Sequence, residues 1–433
     1  MNIQRDLLQK LAPFLSRREY IAVVGPRQSG KTTFLEILQK YLHEELKIRK
    51  EFIQTVTFED RRLLSQFETD PAAFIRSYIP RHVTGRFYFM IDEFQYAVDG
   101  GQKLKLLYDT LKNIKIVITG SSSLDIKAHV GRHMVGRIVT FDLYPFNFRE
   151  YLRANDKRLE SIYAENNEQV ISSVWKSKGL KKRQADPFGE ELRQHYEKFC
   201  IWGGYPAVVL ARNNAIRSKL LSDTYNNYIL KDIKTLLELA TEKNLLLLSQ
   251  YLATQTGNIV VYQNLGQTAH LDHRQIKKHL NILEETYVCR EVRPFFTNRQ
   301  KELTKNPKIF FMDMGFRNNL MENMNSLAVR PDAGAIVENV VFIRLNELCS
   351  RVQKINFWRT KAGAEVDFII HKQDALLPVE VKYTGFKSEK VSRSLASFID
   401  AFKPDCAVVL TKDFWGSGKK DKTRILFIPV YYL

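Results

Sequence analysis

Gly25-Pro26-Arg27-Gln28-Ser29-Gly30-Lys31-Thr32 satisfies the pattern Gly-x4-Gly-Lys-[Ser/Thr] at every fixed position. In a loop of this kind the backbone N–H groups and the positive end of the next helix attract phosphate oxygens. Lys31 then reaches the β- and γ-phosphates, and the Thr32 hydroxyl ligates Mg²⁺. A second pair, Asp92-Glu93, closes the apolar run Phe87-Tyr88-Phe89-Met90-Ile91. Beside a phosphate loop, Asp92 would hold Mg²⁺ through water and Glu93 would polarise the attacking water; alone, the pair reads equally as a helix N-cap. Ser121, in the hydroxyl-rich Gly120-Ser121-Ser122-Ser123, is a γ-phosphate sensor or a plain turn residue. Arg132 and Arg137 are candidates to stabilise charge on the transferring phosphate, in this chain or in a neighbouring subunit.

A second constellation lies near the C-terminus. Glu380 and Lys382 are two apart in Val379-Glu380-Val381-Lys382, so on a strand they share one face. Asp367 lies in the preceding strand-like run and Glu338 in a helical stretch before that. Asp367 and Glu380 could converge on one Mg²⁺, with Lys382 orienting or activating a water. Acid-on-a-helix, Asp…Glu-x-Lys is the pattern by which the restriction-endonuclease-like group hydrolyses phosphodiesters. A purely structural origin for these four residues stands beside that reading.

The elements around these residues fit a phosphate-binding α/β unit. Tyr20-Ile21-Ala22-Val23-Val24 precedes the loop and Thr33-Phe34-Leu35-Glu36-Ile37-Leu38 follows it, giving strand–loop–helix. Runs that are apolar throughout and end in acids suit strands of a parallel sheet buried on both faces, with ligands at their C-terminal tips. Residues 155–190 are polar, with a basic run at 176–183 that reads as a linker or exposed insertion. Residues 191–240 read as helices forming a lid. From 244 to 294, three helices and a hairpin suggest a winged helix-turn-helix with residues 273–285 as the recognition helix. Arg274, Lys277 and Lys278 there could meet DNA, or the unit could only pack against a partner domain. Lys308-Ile309-Phe310-Phe311-Met312-Asp313 reads as an acid-tipped strand opening the terminal domain.

The formal net charge of +18 over 433 residues points to a polyanionic partner, nucleic acid before anionic membrane. With 44% hydrophobic and 26% charged residues the chain is not disordered. Cys200, Cys289, Cys349 and Cys406 lack paired spacing, so neither a zinc site nor a disulfide framework follows, and a reducing cytoplasm fits. Residues 1–15 lack the apolar core of a signal peptide, and no stretch is long enough to span a membrane.

The order of these motifs resembles, over nearly the full length, a large prokaryotic family of AAA-type ATPases whose C-terminal half is catalogued as a domain of unknown function with a nuclease-like fold. The resemblance rests on the phosphate loop extended to Thr33, Ile91-Asp92-Glu93-Phe94-Gln95, and Thr119-Gly120-Ser121-Ser122. It rests also on Gly136-Arg137 with Leu143-Tyr144-Pro145-Phe146, on Gly203-Gly204-Tyr205-Pro206, and on Glu365-Val366-Asp367-Phe368 with Val379-Glu380-Val381-Lys382. It implies an α/β chain with a P-loop AAA-like ATPase core (1–154), a polar insertion and helical lid (155–240), a winged helix-turn-helix (241–300) and an α/β restriction-endonuclease-like domain (301–433). It implies ATP and Mg²⁺ as ligands, with Gly25 to Thr33, Asp92 and Ser121 binding nucleotide, and a homo-oligomer in which an arginine reaches the neighbour's nucleotide. Three functions stand beside one another: an ATPase acting on nucleic acid with a Mg²⁺-dependent nuclease site, a regulatory ATPase whose terminal domains bind DNA or protein without cleavage, and a signalling or defence ATPase whose partner is a protein.

Overall fold

The computed structural model describes residues 2–80, 85–121, 130–175, 186–228, 242–349, 353–372 and 375–433. The basic run 176–183, Ser122, Ser123 and the stretch 229–233 lie outside the described residues. Two compact units emerge: residues 1–146 with 285–287, and residues 147–284 with 288–433. The boundary expected at 154 falls inside the helix Phe148–Asn155, and that at 300 inside the helix Arg299–Thr304.

The first unit is built on five parallel strands, β1 (Tyr20–Val24), β2 (Ile53–Thr57), β3 (Phe87–Asp92), β4 (Ile114–Gly120) and β5 (Ile138–Asp142), in the order β2-β3-β4-β1-β5. Both faces are covered, which is why β1, β3 and β4 read as continuous apolar runs. Tyr20, Ala22, Val24, Phe89, Ile91, Ile116 and Ile118 enter one core, while Ile21, Val23, Tyr88, Met90 and Val117 enter the other. The helix Lys31–Glu44 presents Phe34, Leu38 and Leu42 to that second core, a spacing of four that keeps one stripe inward.

The second unit begins with helices Phe148–Asn155, Lys157–Trp175, Gly189–Trp202 and Asn214–Tyr228. Asn147 opens the first with a capping box: its side chain accepts from the Glu150 N–H at 2.9 Å, while Glu150 accepts from the Asn147 N–H at 3.2 Å. Three helices follow, Glu242–Thr254, Tyr262–Ala269 and His273–Glu285. Next come β6 (Cys289–Val292) and β7 (Lys308–Phe311), which pair antiparallel with each other, Lys308 opposite Val292. β7, expected to open the terminal domain, is therefore a partner of β6 and no part of the terminal sheet. That sheet is mixed and six-stranded: β8 (Ile355–Arg359), β9 (Glu365–Lys372), β10 (Ala375–Lys382), β11 (Cys406–Thr411), β12 (Gly416–Lys420) and β13 (Thr423–Pro429), in the order β12-β13-β11-β10-β9-β8. The helix Arg393–Phe402 packs on it through Leu395, Phe398 and Ile399. Among the described residues no helix is long and apolar enough to cross a membrane.

Gly203-Gly204 is explained by a buried acid. Asp313 caps the helix Met314–Leu320, accepting from the Phe316 N–H at 2.9 Å, and also accepts from the Gly204 N–H at 2.7 Å. Gly203 has φ of 72°, and a Cβ there would stand 2.3 Å from Asp313 Oδ1. Asn318 of the same helix donates to the Cys200 and Ile201 carbonyls at 3.1 and 3.0 Å, satisfying the open end of Gly189–Trp202. Strain and steric conflict thus coincide at Gly203. Gly203→Ala is expected to destabilise by roughly 2–4 kcal/mol in urea unfolding. Gly334→Ala, whose Cβ meets nothing within 4 Å, should stay within about 0.5 kcal/mol of the parent.

Candidate functional site

The loop joining β1 to the helix Lys31–Glu44 lies at the C-terminal edge of the first sheet. Gly25 passes so close to the next strand's exit that a Cβ would stand 2.1 Å from the Leu143 carbonyl oxygen, so the backbone itself fills that gap. Pro26 and Ser29 are buried, while Arg27, Gln28, Thr32 and Thr33 are exposed. The Lys31 ammonium is folded into the loop, donating to the Gly25 and Pro26 carbonyls at 3.1 and 3.0 Å. Gly30 precedes the helix, whose first N–H groups have no intrahelical acceptor. The Ser29 Oγ is buried and has no hydrogen-bond partner among the described residues.

Asp92 ends β3 and is 5% exposed. Its Oδ2 accepts from the Thr32 hydroxyl at 2.6 Å, and its Oδ1 accepts from the Thr119 hydroxyl at the end of β4. Glu93, with φ of 54°, turns the chain sharply, and its N–H donates to Thr119 Oγ1 at 3.2 Å. The Glu93 carboxylate accepts from the Gln95 amide, which also donates to Ser121 Oγ at 3.2 Å. Thr32, Asp92, Glu93 and Ser121 are thus linked through Thr119 and Gln95, while Lys31 is held within the loop. An unpartnered hydroxyl in the loop, a cationic amine and the hard oxygens of Thr32 and Asp92 fit a Mg²⁺-bound triphosphate.

Three residues missed by the sequence reading hold this group together. Thr119 and Gln95 lie inside recognisable motifs, but their roles depend on β3 and β4 being neighbours. Arg5 gave no signal: its guanidinium donates to the Ser29 carbonyl at 2.8 Å and the Tyr144 carbonyl at 2.6 Å, and lies 4.9 Å from the Phe146 ring centre. It props the loop against Leu143-Tyr144-Pro145-Phe146.

Arg137 does not join its own chain's site. It precedes β5, where its carbonyl accepts from the Tyr20 N–H, so it stands at the N-terminal edge of a parallel sheet. The loop follows Val24, about 13 Å away along β1. There Arg137 lies 3.7 Å from Asp109 and 5.8 Å from the Tyr108 ring centre.

In the second unit, Asp367 of β9 and Glu380 and Lys382 of β10 lie on adjacent antiparallel strands, with Glu338 on the helix Ala333–Leu348. Asp367 Oδ2 accepts from the Val381 N–H at 2.7 Å, beyond the last register pair Val379–Phe368. Glu380 is 1% exposed; its Oε1 accepts from the Ser392 hydroxyl at 2.7 Å and lies 3.3 Å from the Lys382 ammonium. Glu338 meets Lys308 at 3.1 Å, and the same amine meets Glu365 at 2.6 Å. Burial, then the Asp367 charge, pushes Glu338 up to about 7; burial pushes Asp367 up to about 6 despite the pull of Lys308. Burial opposes the Lys382 ammonium, yet Glu380 and Asp367 raise its pKa. Among the described residues no group of three or more His, Cys, Asp or Glu side chains is placed to hold a metal ion. At the pair expected to hold Mg²⁺, Asp367 accepts from the Val381 N–H and Glu380 from the Ser392 hydroxyl, with the Lys382 ammonium beside Glu380. Lys308 was visible only as a charge heading an apolar strand.

Residues 17–152 match the family model described as AAA domain. Over those residues the chain is similar to AAA domains. Residues 193–327 and 333–431 match two models described as domains of unknown function, DUF8612 and DUF4143. An uncharacterized protein of Haemophilus influenzae is 25% identical over 99% of this chain and 98% of its own length. Another, of Methanocaldococcus jannaschii, is 23% identical over 93% and 82%. Among solved structures, the Walker-type ATPase of Pyrococcus abyssi aligns over 74% of this chain and 96% of its own, at 14% identity and a TM-score of 0.42. The Aeropyrum pernix ORC1 protein in complex with DNA aligns over 74% and 94%, at 13% identity and 0.29.

The acidic cluster sets a pH dependence. Glu338 and Asp367 have folded pKa values above their ordinary 4.5 and 3.8, so the folded state holds protons that the unfolded state has released. Their contribution is complete below the ordinary carboxylate values and is lost as pH rises through about 6 to 7. Thermal unfolding of the second unit should therefore move to lower temperature between about pH 5 and pH 8, and Glu338→Gln should flatten that slope. Equal slopes in the two proteins would contradict this assignment.

Proposed function

We propose that this protein is an ATPase that couples hydrolysis to action on nucleic acid, DNA first. The observation that carries the nucleotide reading is the Asp92 carboxylate, shared between the Thr32 hydroxyl of the phosphate loop's helix and the Thr119 hydroxyl of β4. In this reading the loop N–H groups from Arg27 to Thr33 cradle phosphate oxygens, and Lys31 leaves the loop carbonyls to neutralise them. Thr32 and Asp92 hold Mg²⁺, which when bound offsets charge on the phosphates. Glu93, restrained by Gln95, accepts the proton of the attacking water, and Ser121 reports on the γ-phosphate through the same amide. Arg137, at the far edge of its sheet, is assigned to the site of a neighbouring copy in a homo-oligomer.

The helices Glu242–Thr254, Tyr262–Ala269 and His273–Glu285 with the β6–β7 pair support a winged helix-turn-helix. On the third helix Ile276, Leu280 and Leu283 are buried while Arg274, Lys277 and Lys278 are exposed, a basic face that suits a phosphate backbone. The terminal mixed sheet, with Asp367 and Glu380-x-Lys382 on adjacent strands, supports a restriction-endonuclease-like fold. We read that domain as a binding scaffold, since Glu338 and Glu380 are committed to lysines.

Lys31→Ala should abolish tight ATP binding, whereas Glu93→Gln should bind ATP and hydrolyse it on the order of a hundredfold more slowly. Undiminished turnover in Glu93→Gln would contradict its role. Replacing Arg274, Lys277 and Lys278 together by Ala should weaken DNA binding and reduce the log–log salt slope by about 3, near 1 per lost phosphate contact. An unchanged slope would remove this helix from the DNA interface.

A further inference from the structure

We infer that the Lys308 ammonium is the built-in cation of the terminal acidic cluster, standing where a divalent metal would otherwise stand and closing that cluster to Mg²⁺ and Mn²⁺. The inference does not rest on the ATPase reading.

A lysine heading a strand whose Ile309, Phe310 and Phe311 are wholly buried needs a reason, because an unpaired buried ammonium is strongly unfavourable. Lys308 is 2% exposed and spans two carboxylates, Glu365 Oε1 at 2.6 Å and Glu338 Oε1 at 3.1 Å. The Phe357 ring centre lies 5.4 Å from the amine. Burial alone would lower the lysine's pKa, but Glu338, Glu365 and Asp367 together hold it above the ordinary value. Three acids from a helix and a strand therefore answer to one amine. The other members are engaged as well: Asp367 by the Val381 N–H, Glu380 by Ser392 and Lys382, and Glu365 additionally by Arg359 at 3.1 Å.

A magnesium ion needs about six oxygen ligands at roughly 2.0–2.1 Å in octahedral array. An ammonium with three donors neutralises the same charge at hydrogen-bond distance, without convergent lone pairs. Nor is the amine easily withdrawn. β7 pairs with β6, Ile259 bridges to Lys308, and Phe310 stacks on Phe342 at 4.7 Å. Asn339, one residue after Glu338, donates to the Phe311 carbonyl at 2.7 Å and accepts from its N–H at 2.8 Å. The helix carrying Glu338 and the strand carrying Lys308 are thus fastened at the point where their charges meet.

The test is Mn²⁺ uptake by the full, nucleotide-free chain, followed by loss of the free-ion EPR signal. Wild type and Asp367→Asn should take up the same number of ions. Lys308→Met should gain one ion that the Lys308→Met/Asp367→Asn double variant loses, and Mn²⁺ should raise the thermal midpoint of Lys308→Met alone. A wild-type ion lost on Asp367→Asn, or a folded Lys308→Met that gains none, overturns the inference. If Lys308→Met does not fold even with Mn²⁺, wild type against Asp367→Asn still decides it.

Discussion

One carboxylate organises the nucleotide-binding unit. Asp92 ends β3 and accepts hydrogen bonds from the hydroxyls of Thr32, in the first turn after the phosphate loop, and of Thr119, at the end of β4. Three elements far apart in the chain are thereby fixed at one edge of the sheet. A carboxylate 5% exposed requires such donors, since desolvation without them is costly. The left-handed turn at Glu93 follows from the same anchor, because its N–H also reaches Thr119. Arg5 then supports the loop from behind by donating to the Ser29 and Tyr144 carbonyls.

The second unit meets a related problem with ion pairs. Lys308 lies between Glu338 and Glu365, and Arg317 and Arg330 converge on Asp332 at 2.6 and 2.8 Å. The Arg330 hydrogen bond, joined by Arg317, holds Asp332 well below the usual carboxylate range against the effect of burial. Breaking a buried pair from one side leaves the other charge stranded, at a cost of about 3–5 kcal/mol. These pairs therefore fix which helix faces which strand. In the acid pattern that suggests a metal site, Glu338 and Glu365 face Lys308 and Glu380 faces Lys382.

What was legible in the sequence was local. The apolar runs and the Gly-x4-Gly-Lys-Thr loop located β1, β3 and β4 and the loop's helix, because a parallel sheet covered on both faces leaves that mark. The third of the three helices falls at His273–Glu285, where periodicity placed it. Residues whose role depends on long-range pairing were not legible. Lys308 joined the wrong sheet because strand pairing carries no local signal, and Arg5 acts through backbone carbonyls that could belong to any residue. Arg137 was different: once the sheet is taken as parallel, a residue before β5 must lie at the edge opposite a loop that follows β1. The Gly203-Gly204 pair was visible, but its cause, Asp313, lies more than a hundred positions away.

The most direct test of the Asp92-centred site is the Mg²⁺ dependence of ATP binding, measured by calorimetry with and without the metal for wild type and Asp92→Asn. The expected result is tighter binding with Mg²⁺ in wild type and equal, weak binding in both conditions for Asp92→Asn. Full Mg²⁺ dependence retained in Asp92→Asn would show that the metal is held elsewhere and that the carboxylate shared by Thr32 and Thr119 is only a structural joint.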